Sequence, residues 1–178
     1  LRRLAASLLV VGFRGTTLDA APWIRTALAE AGLGGVILFD RDGVTQGLRN
    51  VVAPDQVRRL VTDLRAAAGP RRILVGIDQE GGRVTRLSPA HGFPAVASQA
   101  SIGAGPTAAA RTWARELVAT LADAGIDLNL APVVDLDVNP RNPAIGAIDR
   151  SFSADPEVVT TMAAIEIEAH RAAGILTT

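Results

Sequence analysis

The chain has 178 residues, no cysteine, and eighteen Arg against eighteen Asp plus Glu, so its formal net charge is zero. Apolar residues make up 48% and charged residues 20%, a globular balance that excludes intrinsic disorder. No apolar run approaches the roughly 18 residues of a membrane helix, a disulfide framework is excluded, and scattered Arg at zero net charge argues against a nucleic-acid surface.

Residues 4–11 follow Arg2-Arg3 and have the outline of an export signal. The stretch is short, Arg14 follows at once, and no small-residue cleavage pattern is present. A buried first strand over residues 8–12 is the better reading. Residues 22–31 then read as a helix, with Pro22 at its start and Gly32 past its end. A Val- and Ile-rich run covers 35–39. Residues 54–68 place Val57, Leu60, Val61 and Leu64 at helical spacing before Gly69-Pro70. A third apolar run covers 73–77. Residues 107–124 carry Trp113, Leu117, Val118 and Leu121 on one stripe, closed by Gly125. A fourth run covers 128–134. Residues 156–173 form the last helical pattern, and Ile175-Leu176 opens a fifth strand. Each apolar run has the length of a parallel strand buried on both faces. His170 stands four residues after Glu166, which reads as an ordinary pair on a helix surface.

Alternation of strand and helix implies a parallel sheet covered by helices. A doubly wound sheet wants a Gly-x-Gly-x-x-Gly turn after an early strand, and Gly12-Phe13-Arg14-Gly15 lacks that spacing. A (β/α)8 barrel takes about 250 residues, so this chain would hold its N-terminal half, about four βα units. Residues 1–178 are expected to form one partial domain. The Leu start and the end at Thr177-Thr178 suggest a piece of something longer.

Parallel α/β proteins carry their chemistry at the carboxyl ends of the strands. Here those ends are acidic: Asp40 and Asp42, then Asp78 and Glu80, then Asp135 and Asp137. Three acidic tips on one face favour a polar pocket. Carboxylates suit sugar hydroxyls, metal ions and proton transfer alike, so the pattern does not choose among them. The third tip reads Asp78-Gln79-Glu80-Gly81-Gly82-Arg83-Val84-Thr85-Arg86. Gly81-Gly82 permits a tight turn, and Arg83 and Arg86 can fork toward a carboxylate. No transition-metal site is expected, because the two histidines are far apart in the chain and no thiolate is present.

Asp78 through Val84 resembles the signature of glycoside hydrolase family 3, in its β-N-acetylhexosaminidase branch. Residues 12–15, 34–39, 125–135 and 139–156, with Arg150-Ser151-Phe152, resemble further segments of that family in the right order. The resemblance implies a barrel and a retaining mechanism, with attack by an Asp carboxylate and a covalent glycosyl-enzyme. It implies a His on a mobile loop as acid/base. The implied substrates are glycans or wall fragments containing N-acetylglucosamine, and no cofactor is implied.

Three positions carry over as substrate-binding residues: Asp78, Arg86 and Arg150. Glu80, Arg83 and Asp135 lie in matching motifs and read as structural or supporting. Asp149 is a candidate ion-pair partner of Arg150. The family's Lys-His pair, catalytic His and nucleophilic Asp have no counterpart in residues 1–178, so no catalytic residue is assigned. The chain as given is expected to be inactive and to self-associate. A β-glucosidase of the same family and an inactive sugar-binding half-barrel are the alternatives. Compartment stays open between cytoplasm and export.

Overall fold

The computed structural model describes residues 1–178. A short helix, α1 (Arg2–Ala6), precedes the first strand, β1 (Val10–Gly12). The expected strand therefore starts late. Ser7 Oγ donates to the Leu4 carbonyl at 2.8 Å and closes a helical turn that leaves Leu4 and Leu8 exposed. Helix α2 (Pro22–Thr26) continues through a π-helical turn, Ala27–Ala31, to Gly32. Strand β2 (Gly35–Leu38) and helix α3 (Pro54–Ala68) follow, then β3 (Leu74–Ile77).

A small antiparallel hairpin comes next, β4 (Gln79–Gly81) with β5 (Val84–Thr85). Strands of two and three residues are too short to show an alternation, so the hairpin has no signature in the sequence. Helix α4 (Gln99–Gly103) and helix α5 (Thr107–Ala124) lead to β6 (Leu128–Asn129). Helix α6 (Pro156–Ala172) leads to β7 (Leu176–Thr177). Strand β6 is shorter than the expected run, because Pro132 has no N–H to give a ladder.

Strands β1, β2, β3, β6 and β7 form one parallel sheet in that order. Sequential parallel order with helices between successive strands is the N-terminal half of a (β/α)8 barrel. The register sets two rows. Leu38, Ile77, Asn129 and Thr177 lie side by side, as do Ile37, Gly76, Leu128 and Leu176. The first row faces the helices, and Leu38, Ile77 and Asn129 are fully buried. The second row faces the barrel interior and is only partly covered. Burial of the strands on both faces is therefore corrected: helices cover one face, and Val10 and Leu176 stay exposed.

The core lies between sheet and helices. Helix α3 contributes Val57, Leu60, Val61 and Leu64, and α5 contributes Trp113, Leu117 and Leu121. Trp113 meets Phe152 edge-to-face at 6.2 Å and donates its indole N–H to the Ala97 carbonyl at 3.1 Å. That contact ties the segment carrying Arg150 to the helix layer. No helix is long and apolar enough to cross a membrane.

Candidate functional site

The carboxyl end of β3 carries the candidate site. Asp78 follows the buried Ile77 and is left part-exposed. Gly81 and Gly82 turn the chain with φ of +97° and +59°, a region that side chains with a Cβ rarely adopt. A Cβ on Gly81 would also strike the Ala97 carbonyl oxygen. The turn sends β5 back along β4 and returns Arg86 to Asp78. Arg86 Nη2 donates to Asp78 Oδ2 at 2.8 Å, and its Nη1 stands 3.6 Å from Asp40 Oδ1. Its guanidinium lies 5.7 Å from the Phe39 ring centroid, and Arg49 stacks closer at 4.6 Å. One residue thus joins the tips of β2 and β3.

The hairpin is pinned from below. Gln79 is fully buried; its carbonyl oxygen Oε1 accepts from Leu87 N at 2.9 Å and its Nε2 donates to Leu87 O at 3.1 Å. Its backbone N–H donates to Asn129 Oδ1 at 2.9 Å, and Asn129 Nδ2 donates back to its carbonyl at 3.0 Å. Asn129 Nδ2 also donates to His170 Nε2 at 3.0 Å, while His170 Nδ1 donates to the Glu166 carbonyl at 2.8 Å. A carbonyl only accepts, so Nδ1 carries the hydrogen and the imidazole is neutral. Burial lowers the His170 pKa, which favours the same state.

Arg150 arrives from the loop before α6. Its Nε and Nη2 donate to the two carboxylate oxygens of Glu80 at 2.7 Å each, and its Nη1 donates to the Ala144 carbonyl at 2.8 Å. The fork leaves two of its five N–H groups free. The Glu80 hydrogen bond raises the Arg150 pKa most, and the charges of Asp135 and Asp78 raise it further. Asp78, Arg86 and Arg150 therefore gather at one end of the sheet.

Other expectations need correction. Glu80 is buried and forms the anchor of Arg150, a role that falls to it and not to Asp149. Asp149 adopts φ +58° and its carbonyl accepts from Ala100 N at 3.3 Å. Asp42 turns into its own loop, accepting from Arg14 at 2.6 Å, Thr45 N at 2.8 Å and Val44 N at 3.0 Å. The Arg14 contact first, then the backbone donors, hold its carboxyl far below the usual range. Arg83 and Asp135 are exposed. Asp137 has one enclosed carboxylate oxygen without a partner. Asp40, Asp78 and Glu80 thus join the cluster through Arg86 and Arg150, and Asp135 from the third tip adds its charge at Arg150 from the solvent side, while Asp42 turns away.

Glu166 and His170 do not lie on a helix surface. Both are fully buried. Val159, Met162 and Ala163 define the inward stripe of α6, and positions 166 and 170 continue it at helical spacing. That spacing was the signal available in the sequence. Desolvation first, and then the charge of Glu80, push the Glu166 carboxyl up to about 8. His91 sits half-buried in a short 3-10 turn, Pro89–His91. A cavity of about 450 Å³ lies elsewhere, lined by Arg65, Arg71, Arg72 and Asp127 near the amino end of β3.

Residues 5–178 match the family model described as "Glycosyl hydrolase family 3 N terminal domain". A beta-hexosaminidase of Xanthomonas euvesicatoria pv. vesicatoria is 39% identical over 178 residues, covering 96% of this chain and 48% of that protein. The chain spans about half the length of the curated relatives it matches. A glycoside hydrolase family 3 β-N-acetylglucosaminidase from Paenibacillus sp. superposes with a TM-score of 0.87 at 31% identity, over 99% of this chain and 32% of that one. A Neisseria gonorrhoeae structure in complex with N-trifluoroacetyl-D-glucosamine superposes with a TM-score of 0.78 at 28% identity, over 95% of this chain and 48% of that one.

Proposed function

The chain belongs to the glycosyl hydrolase family 3 N-terminal domains, and from that premise we propose that it supplies the sugar-holding half of a β-N-acetylhexosaminidase barrel. Residues 1–178 act as one unit of that barrel. The substrate is a glycan with a terminal β-linked N-acetylhexosamine. The observation that carries this reading is the Arg86 bridge between Asp78 and Asp40 at the strand ends.

Arg86 occupies one oxygen of Asp78 and leaves the other free. A single carboxylate oxygen accepts from two adjacent hydroxyls, which fixes the orientation of a pyranose ring. Arg150 offers its two remaining N–H groups to ring substituents from the neighbouring loop. These three residues bind and orient. Bond cleavage by a retaining route needs a nucleophilic carboxylate and a proton donor. His170 is locked beneath the strands and His91 lies in a turn, so this chain's histidines do not take that role.

Hydrolysis of an aryl N-acetyl-β-glucosaminide against an aryl β-glucoside tests the reading. The protein carrying this sequence is expected to prefer the acetamido sugar. Equal or better cleavage of the glucoside would favour the β-glucosidase reading. As a separate chain, residues 1–178 are expected to self-associate, because Leu9, Val10 and Leu176 are exposed at the two edges of the sheet. A monomer on chromatography would remove that expectation.

A further inference from the structure

Gln99 sits between three elements, fully buried. Its carboxamide lies against the Arg150 carbonyl oxygen, the Val133 amide nitrogen and the Glu166 carboxyl. Only one orientation of the amide gives each neighbour a complement. Nε2 then donates to Arg150 O, and Oε1 accepts from Val133 N at 3.2 Å. The Val133 N–H and the Arg150 carbonyl have no other hydrogen-bond partner. In that orientation the amide oxygen faces Glu166 Oε2 at 3.4 Å. Two bare oxygens at that distance repel. A protonated carboxyl removes the conflict, because its O–H donates to the amide oxygen.

We propose that Glu166, as a neutral acid, is a positioning residue for Arg150: its O–H sets the Gln99 amide, and the amide holds the Arg150 backbone where Glu80 can fork its side chain. This deepens the sugar-site reading and rests on it. Glu166 does not touch the sugar and is not catalytic. It acts through Gln99, two contacts from the ring.

The surroundings agree. Gln99 from α4 is uncharged. Glu80 from the hairpin is the charged group whose field reaches Glu166, and it opposes ionisation. Arg150 spends its charge on Glu80. On α6 itself the neighbour one turn on is His170, held neutral by Asn129 and the Glu166 carbonyl. Burial favours the neutral acid as well, pushing the carboxyl up to about 8 even against a Gln99 N–H donor, and turning the amide removes that donor. Ionisation above that value turns Glu166 from donor to acceptor and reverses the preference of the amide.

The test reads the Val133 amide and the sugar separately, in the protein carrying this sequence. Wild type, Glu166→Gln and Glu166→Leu are compared from pH 6.5 to 9.5. Hydrogen-exchange protection at Val133 and the affinity for N-acetylglucosamine are measured. The Gln side chain keeps an N–H donor at every pH, whereas Leu has none. Wild type should lose about tenfold in both readouts above pH 8, the loss of one ordinary hydrogen bond. Glu166→Gln should stay flat, and Glu166→Leu should be weak throughout. Equal Val133 protection in wild type and Glu166→Leu would overturn the proposal. So would the same alkaline loss of affinity in wild type and Glu166→Gln. If Val133 follows Glu166 while no variant binds sugar at any pH, the positioning link stands and the sugar-site reading fails.

Discussion

Arg150 and Glu80 are joined by two parallel hydrogen bonds of 2.7 Å, across 70 residues of chain. Glu80 is buried and Arg150 keeps about a quarter of its side chain exposed, at 27%. The pair staples the β3 hairpin to the loop before α6, and so sets the distance between Asp78 and Arg150.

Glu80→Ala should therefore act at long range. Removing one partner of a buried pair strands the other charge, and part exposure of Arg150 softens the penalty to about 2–3 kcal/mol. Sugar affinity should fall as well, because Arg150 loses its orientation. Asp149→Asn should leave both unchanged. Urea midpoints and calorimetric titration of the two variants check this, and a larger effect from Asp149 would return the anchor to that residue.

Gly81→Ala should damage the site through the backbone. The position has φ +97°, and a Cβ there meets the Ala97 carbonyl. Positive φ alone costs a non-glycine residue about 1–3 kcal/mol, and the contact adds to it. A thermal midpoint within one degree of wild type would show that the hairpin relaxes without cost.

Buried Glu166 and His170 tilt the stability curve in opposite directions. Glu166 has an ordinary value of 4.5 and stands at about 8 in the fold. Between those values the unfolded chain ionises while the folded one keeps its proton, so stability falls as pH rises through that window. His170 has an ordinary value of 6.5 and is lowered in the fold. Below about 6.5 the unfolded chain binds a proton that the folded one refuses, so stability falls as pH drops. Glu166→Gln should remove the decline between pH 4.5 and about 8, a change of roughly 2–4 kcal/mol at pH 8. His170→Gln keeps an acceptor for Asn129 and should remove the acid-side decline. Chemical denaturation from pH 4 to 9 tests both, and unchanged profiles would place these groups in water.

The helices that were legible from sequence had strong punctuation. Pro54 and Gly69 bound α3, and Gly125 closes α5 at the expected residue. The Asp78–Val84 segment marked the candidate site because a family resemblance and a Gly-Gly turn coincide there. The hairpin was hidden, since β4 and β5 are too short to show alternation. The partner of Arg150 was hidden too, because Glu80 and Asp149 are equally plausible in one dimension. Glu166 and His170 were misread by taking i, i+4 polarity as a surface mark. Their alignment with Val159 and Ala163 placed them inside. Gln99 offers no signal at all, because its role depends on three contacts from distant chain segments.

Calorimetric titration of N-acetylglucosamine into the wild-type protein and its Asp78→Asn variant tests the central claim most directly. Asn keeps the shape but removes the charge that Arg86 and the hydroxyls share. The account predicts saturable binding by wild type and a loss of about ten- to a hundredfold in the variant, the worth of a hydrogen bond to a charged group. Equal affinity in the two proteins, or no binding by wild type, would contradict it.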